Sequence, residues 1–542
     1  MRRNLSDIEN HSFDLIVIGA GINGAGIARD AAMRGLKVLI LDKGDIASGT
    51  TSWSTRLIHG GLRYLEHGEV GLVRESLRER ERLLYIAPHL VKPLSLLIPI
   101  YEEGRRSKLA IRAGMIVYDL LSFDKSLDRH RMLSREEAVV RAPGLDTKGL
   151  NGAAIYYDAQ VEYAERLVLE NILSAQKHGA HILTYARVDE FIVQERSVRG
   201  VKFTDLTGNT VHKAHAPVTL NVSGPWVDEV LSRTGHRVAR QIGGTKGSHI
   251  IVEKFPGAPV CALYAEARED GRPFFIIPWN DLYLIGTTDL AYNDDLDRVE
   301  ASEAEIDYLI RETNRLIPSA RLERDSILYT YSGIRPLPYL SEEDTARITR
   351  RHFIRDHGPT LGGFVSIIGG KLTTYRNLSE QAVNLIFKKL KRRLVKCATA
   401  REKLPGAMCE DFRLFSQRFK AESDLPEAGR ERLLRIYGTR ASEVLKVAAR
   451  DAELLKPFSP ETGAIGAEVL FSFQCELAET LTDCLMRRTL VGLDRTAGLD
   501  GAEAAARLAR KYLGWTEERA AREVSEYQKY VSRFHPRMLE RA

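Results

Sequence analysis

Cysteine is scarce in this chain. Five occur in 542 residues (Cys261, Cys397, Cys409, Cys475 and Cys484), and no two form a C-x-x-C pair. An odd, scattered set excludes a disulfide framework and a paired-cysteine zinc site, and it fits the reduced thiols of a cytosolic compartment. No pattern of metal ligands replaces it. Long apolar runs are also missing: none approaches the roughly 18–20 residues of a membrane span. The opening MRRNLSDIENHSFD carries two arginines but no apolar core, so it does not read as a secretory signal. There is no internal repeat and no low-complexity tract. Charge of one sign is not in large excess either. Lys and Arg number 79 against 73 Asp and Glu, a net +6. That mild basic balance suits an anionic substrate or an acidic lipid surface and proves neither.

Apolar residues make up 44% and charged residues 28%, the composition of a soluble globular protein with room for about three domains. The most informative stretch is 13–42, FDLIVIGAGINGAGIARDAAMRGLKVLILD. It reads as strand, glycine turn, helix and second strand ending on an acid. Gly19, Gly21 and Gly24 fill a G-x-G-x-x-G spacing: a sharp exit from the strand, close backbone approach to a pyrophosphate, and close packing of helix on sheet. The helix N-terminus then offers unpaired N–H groups to phosphates. Asp42 is placed to accept hydrogen bonds from a ribose hydroxyl. The reading is a dinucleotide-binding unit, against the alternative of an α/β unit that merely uses tight glycines.

Mixed α/β character continues to about residue 385, with strand-like runs at 181–188, 217–222, 248–252 and 364–368. The runs 274–279 and 282–287, separated by Asn280-Asp281, read as a hairpin. A hairpin in a chain that opens with a parallel unit predicts a second, antiparallel sheet walling a substrate pocket. The cofactor domain is then discontinuous within 13–388, and the inserted substrate domain takes roughly 85–135 and 225–340. From the basic run Lys388–Arg393 onward strand signals disappear. Segments 428–436, 440–455, 467–490, 502–513 and 517–533 have helical periodicity, which predicts an all-helical C-terminal domain over 389–542. The basic run itself reads as a solvated helix face or linker.

Three further segments offer chemistry. In 50–65, TTSWSTRLIHGGLRYL, hydroxyls that can bind phosphate or a ribityl chain precede His59, the glycine pair Gly60-Gly61, Arg63 and Tyr64. In 329–336, YTYSGIRP, Arg335 stands between a glycine and a proline, where a guanidinium can be held for bidentate contact with phosphate or carboxylate. In 366–376, SIIGGKLTTYR, a strand ends at Gly369-Gly370. Lys371 and Thr373 then start a helix whose N-terminus suits an anion or the electron-rich edge of a reduced flavin.

These segments, with NVSGPWVDEV, KGSHIIV and IIPWNDLYLIGTTD, stand in order across residues 14–376 and together resemble the aerobic FAD-dependent glycerol-3-phosphate dehydrogenases. LIHGGLRYL is the most specific element. The resemblance implies a fold of the D-amino-acid-oxidase type: a Rossmann-like FAD domain, an antiparallel substrate domain and a helical C-terminal domain. It implies that Gly19, Gly21, Gly24 and Asp42 hold the pyrophosphate and adenosine ribose of FAD. Val188 would meet the adenine through its backbone, and Gly224 would lie near the diphosphate. Ser54, Gly60 and Gly61 would line the flavin side, and Gly370, Lys371, Leu372 and Thr373 would address the isoalloxazine ring. His59, Arg63, Tyr64, Arg335 and Lys371 would surround the substrate. The implied reaction is oxidation of sn-glycerol 3-phosphate to dihydroxyacetone phosphate, hydride passing from C2 to flavin N5 and electrons on to quinone. The enzyme would then sit peripherally on the inner face of the cytoplasmic membrane, with a homodimer as an open expectation.

The residues suit that chemistry. An imidazole with an ordinary pKa of about 6.5 serves as general base near neutral pH. Arginines can hold a phosphate dianion, and Lys371 can stabilise charge on the flavin N1–C2=O edge. A candidate membrane patch combines Leu84, Tyr85, Ile86, Leu94, Leu96, Leu97 and Ile98 with Lys92, Arg105, Arg106, Lys108 and Arg112, the mixture that anionic headgroups require. After Asp158, VEYAERL departs from the family's VDDARL-like string, which leaves the choice of polyol phosphate open. Rival readings are another polyol phosphate such as a tetritol phosphate, an oxidase using O2, an amine or hydroxy-acid oxidase, and a nucleotide-binding regulator with a basic end for nucleic acid. The last has no recognisable nucleic-acid module.

Overall fold

The computed structural model describes residues 5–66, 68–236, 239–339 and 352–540. Its first layer is the predicted parallel sheet. The strand Leu15–Ile18 lies between Val38–Leu41 and Val218–Asn221, with Leu15 opposite Val38 on one side and Val218 on the other. His181–Leu183 and Phe364–Ile368 extend it, and Phe353–Asp356 closes one edge antiparallel. All three inner strands are buried along their whole length, and Leu15–Ile18 and Val38–Leu41 are unbroken apolar runs because both of their faces are covered. The helices Ile22–Met33, Ala164–Lys177 and Tyr375–Lys389 supply the cover. Burying each Leu, Ile or Val side chain contributes about 1.5–3 kcal/mol.

The expected strand 181–188 is two. The chain leaves the parallel sheet after Leu183, turns through Tyr185 at φ +53°, and starts an antiparallel three-stranded meander at Ala186–Gln194. No glycine or proline marks that turn, so the run of strand formers hides it.

The second sheet has ten strands and is mostly antiparallel. The hairpin forms where expected: Pro273–Trp279 pairs with Leu282–Gly286, and Asn280 and Asp281 take φ +53° and +60°, the left-handed turn that Asn and Asp tolerate. The sheet also takes in Leu57–Ile58 and Leu150–Val161, outside the two ranges expected of the substrate domain. Leu150–Val161 pairs along the strand Val91–Tyr101. Its sequence, LNGAAIYYDAQV, is buried on both faces and shows no alternation, the signal by which it would have been found.

The C-terminal region holds the expected helices at Glu427–Tyr437, Ala441–Ala448, Ala502–Leu513 and Glu517–Val531. Two corrections apply. It is not all-helical, because Pro457–Ser459 and Ala464–Ile465 form a short antiparallel ribbon. The segment 467–490 is not one helix: Gly466–Cys475 ends, Leu477 turns at φ +59°, and a short helix runs into a π turn over Cys484–Arg488. Buried Glu476, Asp483, Arg487 and Arg488 reach ionic partners from that broken path. The region shares one apolar core with the second sheet, and the Phe534 ring lies 5.0 Å from that of Trp53.

The glycine turn is tight. Gly19 adopts φ +113°, and a Cβ on Gly24 would overlap the Gly19 carbonyl oxygen. Gly24→Ala is therefore expected to cost about 1–3 kcal/mol through overpacking, read as a lower urea midpoint by circular dichroism. An unchanged midpoint would show that the turn has slack.

Candidate active site and cofactor cradle

A cavity of about 800 Å³ runs between the two sheets and the C-terminal domain, within the size range of small-molecule sites. One end is the glycine turn. Gly19 and Gly21 line it, and Gly24 stands behind as the packing glycine. The Ile22 N–H donates to Thr51 Oγ1 at 3.2 Å, so the TTSWSTR loop and the helix N-terminus face one space. Asp42 follows the second strand and also lines the cavity. Its carboxylate accepts from Ala20 N at 2.6 Å and Gly44 N at 2.8 Å. Burial raises its pKa, opposed by those two amide bonds. A carboxylate has about four acceptor positions, so capacity remains for a hydroxyl.

Val188 and Gly224 line the same end. The Val188 carbonyl accepts from Arg233, and the space where Gly224 would carry a Cβ is open. Ser54 lies on the loop wall, donating to the Thr51 carbonyl at 3.2 Å and accepting the Tyr331 hydroxyl on its own carbonyl at 2.9 Å.

At the other end Gly370, Lys371 and Leu372 line the cavity with Tyr64. The helix starts at Tyr375, so these residues form the turn before it. Gly370, at φ +104°, packs on Asn23, whose amide donates to the Gly369 carbonyl at 3.2 Å. Gly61 at φ +77° lets the Tyr64 ring fold back over it, and the Lys371 ammonium lies 3.7 Å from the centre of that ring. This is cation–π distance.

The remaining predicted residues stand off the wall. Thr373 is buried behind it and accepts the His59 N–H at 3.2 Å, fixing the His59 turn against the Lys371 turn. His59 itself is half-buried. Gly60 packs against Tyr118, and its N–H donates to the Tyr118 hydroxyl at 2.9 Å. That hydroxyl donates to Asp158 at 2.7 Å, and Arg80 holds the same carboxylate at 2.5 Å. Arg63 is exposed and turned away from the cavity lining.

Arg335 ends the strand Ile327–Arg335 and reaches the cavity. Its guanidinium lies over Gly247, where any Cβ would collide with it. It donates at 3.0 Å to Thr287 Oγ1, the Thr288 carbonyl and Asp289 Oδ1. Behind that turn, Glu305 accepts from Thr288 and Ser248 at 2.7 Å and pairs with Lys246 at 2.7 Å.

Sequence reading missed His249. It is buried between Gly286 and the Tyr331 ring, 4.8 Å away, with Nε2 2.9 Å from Thr55 Oγ1. Burial, then the charges of Arg335 and Arg56, push its pKa well below 6.5, so the imidazole is neutral at pH 7. A signal was present: alternate residues of a strand share a face, and His249 stands two after Gly247.

Comparison with known proteins fits this geometry. A model of the FAD dependent oxidoreductase family matches residues 14–376, and one for the C-terminal domain of alpha-glycerophosphate oxidase matches 397–520. A glycerol-3-phosphate dehydrogenase of Synechocystis is 48% identical over 98% of each chain. The chain belongs to the FAD-dependent glycerol-3-phosphate dehydrogenase family. Within that family, glycerol-3-phosphate dehydrogenase 2 of Mycobacterium tuberculosis is 35% identical over 95% of this chain and 87% of its own. The Bacillus halodurans glycerol-3-phosphate dehydrogenase, solved with FAD, superposes with a TM-score of 0.78 at 28% identity, covering 98% of this chain and 96% of that one.

The cavity fits the cofactor of the family. Gly21 takes an ordinary φ of −74°, and a Cβ there would meet only Thr51 Oγ1 at 3.5 Å. A side chain at Gly21 thus enters the cavity without straining the fold. Gly21→Val is expected to keep the far-ultraviolet spectrum of the parent and to lose its bound FAD, read by flavin absorbance after gel filtration. A variant that retains full flavin absorbance would show that the cradle is misplaced.

Proposed function

We propose that this flavoprotein oxidises sn-glycerol 3-phosphate to dihydroxyacetone phosphate at the Lys371–Tyr64–Arg335 end of the cavity and delivers the electrons to membrane quinone. The observation that carries the reading is the fixed Arg335 guanidinium on a cavity wall that also presents Lys371. FAD, when bound, supplies the two-electron acceptor for the C2–H bond. The chain supplies the rest. Gly19, Gly21, Gly24, Asp42, Val188 and Gly224 hold the dinucleotide part. Ser54, Gly60, Gly61, Gly370, Leu372 and Thr373 shape the ring part. Arg335 takes the phosphate, helped by the Tyr64 hydroxyl, and Lys371 stabilises negative charge at the ring edge. Arg63, exposed just outside, adds a cation on the approach. His59 accepts the hydroxyl proton. His249, buried behind the Arg335 wall against Thr55 and the Tyr331 ring, supports that wall from outside the cavity lining.

His59→Ala is expected to lower turnover by about 10²–10⁴-fold. Arg335→Ala should raise KM for the phosphorylated substrate, lower kcat, or both, through a lost charge-assisted contact. Glycerol is the control. Equal oxidation of glycerol and glycerol 3-phosphate would remove the phosphate assignment, and a panel of longer polyol phosphates reads the pocket length.

Quinone resides in the bilayer, so the protein must reach a membrane. No helix of the described residues is long and apolar enough to cross one. Of the patch expected within 83–123, the apolar part at 84–98 is largely core, since Ile86, Leu96, Leu97 and Ile98 are buried. The helix Lys108–Leu121 carries the face instead. Met115 and Tyr118 point inward, whereas Leu109, Leu120 and the following Phe123 are 76%, 68% and 78% exposed, with Ile116 and Val117 between them. Residues 109, 113, 116, 117 and 120 form one helical stripe, flanked by exposed Lys108 and Arg112. This is the pattern of a helix lying at the headgroup level of anionic lipid. Co-sedimentation with liposomes should rise with anionic lipid and fall with salt. Leu109→Glu with Leu120→Glu should abolish it and depress quinone reduction while sparing turnover with a soluble dye. A protein that stays in the supernatant at every composition and reduces no quinone analogue would be a soluble oxidase.

A further inference from the structure

The C-terminal domain reaches the adenosine end of the cavity through buried charges. Asp45 lies in the loop that follows Asp42, and its carboxylate is fully buried. Arg488 grips it with two bonds, Nη1 to Oδ2 at 2.8 Å and Nη2 to Oδ1 at 2.7 Å. Arg487 adds a third from Nε to Oδ2 at 2.6 Å. Its other arm, Nη2, reaches Asp483 Oδ1 at 2.7 Å, and the Tyr185 hydroxyl donates to that same oxygen at 2.7 Å. Arg488 Nε is in turn held by the Glu476 carbonyl at 2.6 Å. Two arginines and two aspartates therefore balance in charge inside the protein, more than 440 residues of chain separating Asp45 from its partners.

The loop so gripped is the one that forms the ribose side of the cavity. Asp45 is three residues from Asp42. Gly44 N donates to Asp42, Tyr185 N to the Gly44 carbonyl at 3.0 Å, and Ala186 N to the Asp42 carbonyl at 2.7 Å. Asp42, Asp45, Tyr185 and Arg487 all line the cavity. The net thus ties three segments together: the loop after the second strand, the turn at Tyr185 that begins the Val188 strand, and the π turn of the C-terminal domain.

We propose that the C-terminal domain completes the cofactor site: Arg487 and Arg488 position the 42–48 loop for the adenosine half of FAD, so that cofactor binding and closure of this one latch, rather than docking of the domain as a whole, are coupled. The proposal rests on the placement of FAD in the glycine cradle. Coupling of this kind is reciprocal, so bound FAD must strengthen the Asp45–Arg487–Arg488 latch by the same factor as the latch strengthens FAD binding. Burial works against the Asp45 charge, but Arg488 and Arg487 outweigh it and keep the carboxyl below its ordinary pKa. The grip is therefore ionic throughout the neutral range.

The test uses the full-length apoprotein, titrated with FAD by flavin fluorescence quenching and digested with trypsin with and without FAD. Arg487→Lys keeps the charge but lacks a planar fork to join Asp45 and Asp483. It is expected to bind FAD roughly 10-fold more weakly, within the range usual for coupled sites. Asp45→Asn, which leaves two buried arginines facing one carboxylate, should weaken binding by about 100-fold or fail to fold, and Arg487→Lys then carries the test. In the parent, FAD should slow cleavage within 480–534, and in Arg487→Lys that protection should shrink by the same factor as the affinity. Arg435→Met serves as control, because it loosens a different seam of this domain, the 3.2 Å contact to Glu162. It should leave FAD affinity unchanged. Wild-type affinity in Arg487→Lys, no effect of FAD on proteolysis, or an equal loss in Arg435→Met would each overturn the latch. Gly21→Val separates the layers: loss of FAD there with unchanged Arg487→Lys removes the latch and leaves the cradle, whereas retention of FAD in Gly21→Val removes both.

Discussion

Four turns and loops in and just behind the cavity wall are each fixed from behind by a buried ion pair. The loop over 50–56 is held by Arg56, which meets Glu165 in a two-pronged contact of 2.8 and 2.9 Å. The His59–Gly61 turn rests on Tyr118, Asp158 and Arg80. The Gly370–Thr373 turn runs into Arg376, which holds Glu79 at 2.6 and 2.9 Å. The loop over 42–48 is held by Asp45 and its two arginines. A flat ring and a pyrophosphate need backbone at close range, which means glycine turns, and glycine turns carry little rigidity of their own.

The energetics of these pairs fit positioning more than stability. Taking two charges out of water costs about as much as their attraction returns, so an intact buried pair adds little net stability. Removing one partner is another matter, since the remaining charge is left without compensation. Each pair therefore acts as a geometric constraint that tolerates no half measures, and a planar guanidinium against a carboxylate fixes orientation as well as distance. The VEYAERL segment belongs to this stitching. Glu165 pairs with Arg56 of the 50–56 loop, and the next residue, Arg166, holds Glu476 of the C-terminal domain at 2.6 and 2.8 Å. Its departure from the family's usual string thus lies at a domain junction behind the cavity.

What the sequence discloses follows from the range of the interactions. The glycine turn, the strand 364–368 and the Asn280-Asp281 hairpin are local in the chain, and each was readable from a short window. Arg487 and Arg488 were not, because their roles depend on Asp45, more than 440 residues away. The LIHGGLRYL string shows a different limit. Adjacent positions on a helical turn point about 100° apart, so Tyr64 turns onto the cavity wall while Arg63 faces outward. Proximity in sequence gathered them into one site, and the backbone separates them. The apolar run at 94–98 misled for a related reason. A strand buried on both faces and an exposed apolar patch have the same composition, and only the sheet around it decides between them.

Tyr118 connects two parts of the proposed function. It lies on the inner face of the helix Lys108–Leu121, whose outer face carries Leu109, Ile116, Val117 and Leu120. Its hydroxyl receives the Gly60 N–H and donates to Asp158. The helix proposed to lie on lipid is therefore bonded directly to the turn that carries His59. A lipid-soluble acceptor docked on that helix would lie on the far side of the Tyr118–Gly60 contact, which stands behind the proposed ring end of the cavity, and a water-soluble substrate needs no such helix at all. The placement of the exposed stripe beside the His59 turn, rather than beside the glycine cradle, is what favours a membrane-borne acceptor over O2 as the destination of the electrons.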